Sequence, residues 1–315
     1  MPAPKEIGET AELERDAASA RALEQGGLPV TALQRIREAG ESGGTWSSDL
    51  SVAELAAVRG VGFTPVGLVM GSSIYHIGYQ WGPRMGMGMS AQSGVYAKVF
   101  PCLHGYYHDG MLTGYNWEHK VFEVGITTAR NLAMGRLVAE AQALGAHGVV
   151  GLRLTFSRPA GSTGNVEFVA IGTAVRRVGA PPLAMPFTCH LSGQDFAKLM
   201  RTGVVPAALV LGVAAIEVDP GCSMEFQERS YQNQELRQST EAMQACREIA
   251  VAHLEHEASL VGDGVVGVEV AFSQHRFSGG SHLFELQATG TAVRKFADEP
   301  LPEAPLAILR LGGVL

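Results

Sequence analysis

Hydrophobic positions recur in two long stretches of the chain in the same order. The segment from Ser51 to Gly71, SVAELAAVRGVGFTPVGLVMG, matches the segment from Ser192 to Gly212, SGQDFAKLMRTGVVPAALVLG, 141 positions later. In both, a serine followed by an acidic residue three positions on is typical of a helix start. A glycine then ends the helix, and a proline opens an apolar stretch typical of a strand. The pattern predicts a short helix followed by a strand, twice.

The second part of the pattern also recurs, at a smaller spacing. AHGVVGLRLTFS (146–157) matches GDGVVGVEVAFS (262–273) 116 positions later, and IGTAVRRV (171–178) matches TGTAVRKF (289–296) 118 positions later. Because the spacing falls from 141 to 116, the first copy carries about 25 additional residues, which form an insertion. Each copy therefore predicts a short helix, a strand, a loop, a long helix and a closing strand hairpin.

These periodicities also set the expected element bounds. The long helices are expected at about 117–144 and 225–260, and the closing strands at 147–157 with 166–177 and at 264–273 with 283–295. In the strand from Val166 to Val175, apolar residues lie on both faces, whereas a sheet with one wet face would alternate polar and apolar positions. The second face must be covered by the other copy or by another chain, so we expect an obligate assembly.

The repeats divide the chain into five segments. Residues 1–50 hold an amphipathic helix (9–25) and a Gly/Ser linker. The repeats themselves occupy 51–178, with the inserted loop at about 80–116, and 192–296. A Pro-rich linker (179–191) joins them, and an apolar tail (297–315) follows.

Composition narrows the class of protein. The chain has 315 residues, of which 46% are hydrophobic and 17% charged, so it can form a core. The net charge of -7, without a long basic run, argues against nucleic acid or an anionic membrane as a partner. Neither a signal peptide nor a membrane-spanning apolar run is visible, and the four cysteines show no CxxC spacing. We therefore expect a cytoplasmic protein.

The repeated residues resemble those of the YbjQ-like family, which carries a heavy-metal-binding label. That family shows a helix ending in Leu-Gly-Ala, a Val-Val-Gly strand and a strand ending in Gly-Thr-Ala-Val. The residues that match are Val149, Val150, Gly151, Gly172 and Thr173 in the first copy and Val265, Val266, Gly267, Gly290 and Thr291 in the second. The resemblance implies an α+β fold of two tandem YbjQ-like units and a ring-like homo-oligomer, typically a pentamer. Since this motif contains neither Cys nor His, it is a fold signature and not a metal site.

Candidate metal ligands lie elsewhere in the chain. The insertion contains Cys102, His104 and His108, which have the soft-metal character that suits Zn or Cu, and Met85, Met87 and Met89, whose thioethers suit Cu(I). His253 and His256 lie three residues apart on the second long helix. The alternative for each group is structural: a packed loop for the insertion, and a solvated helix face for the two histidines.

Catalysis has weaker support. Ser42 lies in a literal G-x-S-x-G, but the strand-turn-helix context of a nucleophile elbow is missing.

Three pairs of polar residues occupy equivalent positions in the two copies and are either contacts between subunits or solvent-facing: His147 with Asp263, Glu167 with Glu285, and Arg176 with Arg294. The leading hypothesis is a non-enzymatic scaffold whose inserted loop meets a ligand or partner protein. Soft-metal binding is the alternative, and a hydrolase comes third.

Overall fold

The computed structural model describes residues 4–41, 46–78, 100–101, 107–108, 115–158, 164–181, 183–219, 224, 227, 230–276 and 282–297. The main helices are α1 (Pro4–Glu24), α2 (Val30–Glu41), α3 (Val52–Gly60), α4 (Lys120–Ala143), α5 (Gly193–Arg201) and α6 (Arg237–Ser259). The strands are β1 (Phe63–His76), β2 (Phe100–Pro101), β3 (Tyr107–His108), β4 (Tyr115–Glu118), β5 (Gly148–Ser157), β6 (Asn165–Arg177), β7 (Phe187–Thr188), β8 (Val204–Asp219), β9 (Gly264–Arg276) and β10 (His282–Lys295). The α+β class predicted from the sequence is confirmed.

Two four-stranded sheets carry the fold, in the orders β1-β6-β5-β7 and β4-β8-β10-β9. All neighbouring strands are antiparallel except β5 and β7, which run parallel. We call residues 52–177 the N-terminal half and residues 193–295 the C-terminal half. The order β1-β6-β5 of the first half recurs as β8-β10-β9 in the second.

Strand register repeats between the halves as well. Gly71 of β1 lies opposite Ala170 of β6, and Gly212 of β8 lies opposite Ala288 of β10. The pairing of β5 with β6 is interrupted near Gly151 and that of β9 with β10 near Gly267, and both glycines have φ +64°. This left-handed conformation is one that glycine adopts without strain. Each Val-Val-Gly motif therefore ends at a bulge.

Each half packs its long helix against its own sheet through a glycine. A Cβ on Gly71 would lie 2.0 Å from the carbonyl oxygen of Ala133 in α4, and one on Gly212 would lie 1.8 Å from that of Ala250 in α6. Only a residue without a Cβ allows this approach of helix and strand. The helices are therefore related by 117 positions, a spacing that the strand motifs alone did not reveal.

The two halves share one core, because α4 lies between their sheets. One face of β8 packs on its own helix α6, through residues that include Val210 and Ala214. The other face carries Leu211 and Val213 into a cluster with Ile126 of α4. The long helix of the N-terminal half is thus covered on both sides within a single chain.

One predicted helix bound was wrong. The second long helix begins at Arg237 and not near residue 225, because its buried stripe, with four-residue spacing, begins only at Ala242 and Cys246. Helix α2 precedes the predicted Gly/Ser linker. Its apolar positions Leu33 and Ile36 follow helical spacing between glycine-rich flanks, and Ile36 is buried.

The two faces of β6 differ in burial. Phe168, Ala170 and Ala174 are fully buried, whereas Val169 and Ile171 are half-buried. Within one chain, the second apolar face predicted from the sequence is therefore only partly covered.

Candidate functional site

The interface between the two halves is built around buried charges. Arg130 of α4 lies with its Nη2 2.6 Å from both carboxylate oxygens of Glu257 in α6, and Oε2 of Glu257 also accepts a hydrogen bond from the backbone N of Leu211 (2.9 Å). In the N-terminal half the equivalent carboxylate is Glu140, which accepts a hydrogen bond from the backbone N of Met70 at the same distance. The two glutamates secure the same helix-strand contact in their own halves.

A second buried pair also joins the halves. Arg158 donates from the end of β5 to Glu285 of β10, whose side chain is 1% exposed. The Arg158 guanidinium lies 4.8 Å from the centre of the Phe122 ring, and Gln287 donates to the second carboxylate oxygen of Glu285 at 2.7 Å. Such a carboxylate is held in the core only while its partners remain. A cleft of about 440 Å³ borders this pair and also contains His275 and Phe272.

Glu123 of α4 contributes a third polar contact across the interface. Its Oε1 accepts a hydrogen bond from the backbone N of Ala215 at 2.8 Å. Burial raises the pKa of this carboxyl above its ordinary value, because the charged form is poorly solvated there.

The equivalent polar pairs singled out in the sequence lie mostly within their own halves. Arg176 donates through Nε to the carbonyl of Gly145 (3.0 Å), and Arg294 through Nη2 to that of Val261 (3.0 Å), so each caps the end of its long helix. His147 Nδ1 accepts from the backbone N of Arg177, as the carboxylate of Asp263 accepts from that of Lys295.

Glutamates 167 and 285 differ in role. Glu167 accepts a hydrogen bond from Ser157 on the neighbouring strand (3.0 Å), whereas Glu285 pairs across the interface.

The Pro-rich linker is an edge strand of the first sheet. Thr188 in β7 pairs in parallel with Val149, and the next residue, Cys189, donates its backbone N to the carbonyl of Val149 (2.9 Å) and accepts from the N of Leu152 (3.0 Å). His190 then reaches the second sheet, where its Nε2 lies 2.6 Å from the carbonyl oxygen of Gly267. The strand connects both halves, and it was not predicted because the segment is rich in proline.

Strand β9 presents an exposed apolar edge. In the part of the chain that the structure describes, β9 pairs only with β10, so its outer backbone edge is open. Val268, Val270 and Phe272 are 48%, 56% and 43% exposed. A long edge strand with large apolar side chains is a surface that another strand can cover.

The candidate metal ligands are not brought together among the described residues. Cys102, His104, Met85, Met87 and Met89 lie outside them, and of His108 only the backbone is described, in β3. His253 Nδ1 lies 2.8 Å from the carbonyl oxygen of Val213, and the exposed His256 follows one turn later. Within the described ranges, no group of three His, Cys, Asp or Glu residues forms a metal-binding cluster.

The structure also corrects the position equivalent to His253. The sequence spacing of 116 pairs it with Leu137, but the helices are related by 117 positions, which pairs it with Arg136. Arg136 Nη1 lies 2.5 Å from the carbonyl oxygen of Ser72, the counterpart of the Val213 carbonyl. Both side chains thus tie the long helix to the same point of its strand.

The two described thiols are poor nucleophiles. Cys189 and Cys246 are buried and unpaired, and burial raises the pKa of each thiol to about 12. Both stay protonated at neutral pH, so neither offers the thiolate that covalent catalysis or metal ligation needs.

A second cleft, of about 420 Å³, lies beside β7 and is lined largely by apolar residues such as Met185 and Met200.

In the described part of the chain, no helix is both long and apolar enough to cross a membrane.

Comparison with known proteins finds a family and relatives that match part of this chain. A family profile, YbjQ_1, described as "Putative heavy-metal-binding", matches residues 112–178. A UPF0145 protein of Clostridium perfringens is 50% identical over 50 residues, which cover 16% of this chain and 45% of that protein. UPF0145 protein CPE0882 from the same species is 48% identical over an equally long stretch. The chain therefore contains a YbjQ-like domain, as its motifs predicted.

A much longer match comes from Mycobacterium tuberculosis. The encapsulin nanocompartment protein Rv1762c is 34% identical over 279 residues, which cover 87% of this chain and 94% of that protein. At this identity and coverage, this chain belongs to the family of the encapsulin nanocompartment protein Rv1762c.

Proposed function

We propose that this chain is a self-assembling structural protein that builds the wall of a protein compartment. The observation that carries the proposal is the match to a nanocompartment protein over 94% of that protein's length. A compartment wall needs many identical subunits, each with surfaces that remain unsatisfied in the single chain. The exposed edge of β9 and the half-covered second face of β6 are surfaces of this kind.

The subunit in this proposal consists of two tandem YbjQ-like units, 51–178 and 192–296, joined by residues 179–191. The repeated strand order, strand register, bulge glycines and helix-contact glycines support that division. The N-terminal segment 1–50 and the tail 297–315 are additions to the units. A ring of five chains in the cytoplasm is the assembly that the YbjQ-like resemblance suggests, and rings of this kind would be building blocks of a closed wall.

The test is native mass spectrometry with negative-stain electron microscopy of the full chain, purified without a metal-affinity tag. A closed particle of fixed mass, containing many chains, is the expected result. A monomer or dimer that persists at high protein concentration would refute the proposal.

We also propose soft-metal binding by the inserted loop as a second candidate. The ligand types of Cys102, His104 and His108 favour it, and these residues lie just before residues 112–178, which match the family described as heavy-metal-binding. Elemental analysis of purified protein should then find Zn or Cu that is lost in Cys102→Ala/His104→Ala, while the particle stays intact. Equal metal content in the variant and the parent protein would exclude this loop as the site.

A further inference from the structure

The linker between the halves shows how one half of this chain binds the other half. Residues 187–191 add a parallel strand to the edge of β5, through hydrogen bonds of 2.9–3.1 Å that involve Phe187, Cys189 and Leu191. The Phe187 ring covers Gly148 so closely that a Cβ there would lie 2.3 Å from a ring carbon. The same residues then lead into α5, the first helix of the C-terminal half.

Residues 46–50 stand in the same relation to the N-terminal half. They lead into α3 as residues 187–191 lead into α5, 141 positions later. Leu50 lies against the bulge at Gly151, as Leu191 lies against the bulge at Gly267.

Hydrogen bonds at the two bulges match as well. The backbone N of Asp49 donates to Thr173 Oγ1 (3.0 Å), and the N of His190 donates to Thr291 Oγ1 (3.2 Å). Trp46 thereby takes the position that Phe187 holds in the linker, and it is 43% exposed.

The C-terminal half has the edge that such a segment would cover. β9 is the counterpart of β5, and in the described part of the chain no strand lies on its outer edge. Among the described residues, no atom lies within 4 Å of the position that a Cβ would take on Gly264, the counterpart of Gly148. One half of the chain therefore holds an aromatic ring over this glycine, and the other half leaves the same space open.

We propose that the open edge of β9 binds residues 46–50 of a second copy of this chain as a parallel strand, with Trp46 seated over Gly264. This inference rests on the proposed function and names the contact through which the assembly forms. It repeats between chains the contact that joins the halves within one chain, and it is head-to-tail, so it propagates from chain to chain until a ring closes.

Two other surfaces that this contact would bury, one on α6 and one on β1, are exposed in the single chain. On α4, Ile126 and Arg130 are buried against β8, but their counterparts on α6, Met243 and Arg247, are exposed.

The complementary strand face differs in the same way between the halves. On β8, Leu211 and Ala215 are buried against α4, whereas their counterparts on β1, Met70 and Ile74, are 48% and 70% exposed. A neighbour docked by the same operation would cover α6 with its β1.

Helix α2 has to move for this docking. In the single chain Arg35 of α2 donates to Glu140 at 2.7 Å, as Arg130 donates to Glu257 across the interface between the halves. Helix α2 thus occupies part of the place that a neighbour's α6 would take, where Arg247 would meet Glu140. The side chain of Arg35 is 59% exposed, so this ion pair is a weak hold on the helix.

Gly264→Ala tests the contact with little risk to the fold, because a Cβ there meets none of the described residues of the single chain. We expect it to abolish assembly and to leave the circular dichroism spectrum and the unfolding of the isolated chain unchanged. Gly135→Ala is the matched control, since Gly135 is exposed, a Cβ there also meets nothing, and the counterpart in α6 is already Ala252. Trp46→Ala should abolish assembly as well, and Trp46→Phe should restore it, since phenylalanine fills the equivalent place in the linker.

A cysteine pair tests the register directly. Val149 pairs with Thr188, so Val265 should pair with Ser47 of the neighbouring chain, and adjacent strands lie within disulfide range. Ser47→Cys/Val265→Cys should give a ladder of oligomers on non-reducing gels, and each single variant should not.

The outcomes separate this contact from the proposed function. If the parent chain does not assemble, the proposed function fails. If the parent chain assembles but Gly264→Ala and Trp46→Ala assemble equally well and the cysteine pair gives no ladder, this contact is wrong while the proposed function stands. A double-cysteine chain that forms only an intrachain bond would also overturn it. A third result would also overturn it. If a chain truncated after Ala297 fails to assemble while the full-length Trp46→Ala chain assembles normally, the tail and not residues 46–50 covers the edge of β9.

Discussion

The buried carboxylate of Glu285 offers a quantitative test of how the two halves are held together. Arg158→Met removes the charge that pairs with it and keeps an apolar side chain over the Phe122 ring. Breaking a buried ion pair by removing one partner costs about 3–5 kcal/mol. Because Arg158 is 26% exposed and Gln287 still donates to the carboxylate, we expect the lower end of this range, about 3 kcal/mol.

The double variant Arg158→Met/Glu285→Gln separates this loss from a loss of packing. It removes both charges, so its stability should return to within about 1 kcal/mol of the parent. The coupling free energy of the cycle should then be about 2 kcal/mol or more. Urea denaturation at one fixed chain concentration is the assay, since assembly shifts apparent stability with concentration.

The exposed pair Lys198–Asp195 provides the control. Its atoms lie 2.9 Å apart, but the two side chains are 73% and 55% exposed. Lys198→Met should therefore cost less than about 1 kcal/mol. Our account of the interface between the halves is refuted if Arg158→Met is no more destabilising than Lys198→Met, or if the cycle shows no coupling.

Three further predictions concern the helices that pack on the strands. Gly71→Ala and Gly212→Ala should each destabilise the protein by about 3 kcal/mol in denaturant titrations, because the new Cβ overlaps a helix carbonyl, and a difference between the two halves would contradict their equivalence. Burial raises the pKa of Glu123, so the folded state favours the neutral carboxyl more than the unfolded state does. The stability that this neutral carboxyl contributes is therefore lost as the pH rises from 4.5 through the raised pKa. Glu123→Gln should gain stability relative to the parent over that pH range, and parallel pH profiles of the two proteins would contradict this. Arg35→Ala should lower the concentration at which assembly begins, about fivefold for an ion pair of 1 kcal/mol, whereas Arg247→Ala should raise it, in light-scattering titrations.

The repeat in the sequence predicted most of the sheet framework and much less of the connections. Motif residues such as Gly172 and Thr173 recur because each has a defined contact: a Cβ on Gly172 would clash with Val149 of the neighbouring strand, and Thr173 accepts a hydrogen bond from Asp49. The segments that differ between the halves have no such counterpart to compare. Helix α2 belongs to this class. Strand β7 lies in residues 187–191, which have a positional counterpart in residues 46–50, but the two segments share only their final leucine. Helix α6 begins 117 positions after α4, and its start was missed because polar residues precede its first buried position at Ala242.

At the candidate site, the sequence indicates the chemical type of a residue but not its surroundings. His253 stands out in the sequence because its imidazole is a common metal ligand. The structure gives this position a mechanical role, since Arg136 holds the equivalent strand carbonyl in the other half. The open edge of β9 escaped the search because Gly264 looks the same in sequence as the covered Gly148. What distinguishes the two glycines is the ring of Phe187, which lies 39 residues further along the chain than Gly148.

A chain built from two units that join head-to-tail has a property that one unit alone lacks. The link between its halves satisfies one donor segment, residues 187–191, and one acceptor edge, β5. The second donor, residues 46–50, lies against the N-terminal half, whereas the second acceptor, β9, belongs to the C-terminal half, and the two are not paired among the described residues. Since this donor and this acceptor do not meet within the described part of one chain, they can be satisfied only by other copies, and a second chain that satisfies one of them brings an open donor or acceptor of its own. The contact that stabilises the single chain therefore also commits it to assembly, and growth stops only where the geometry closes on itself.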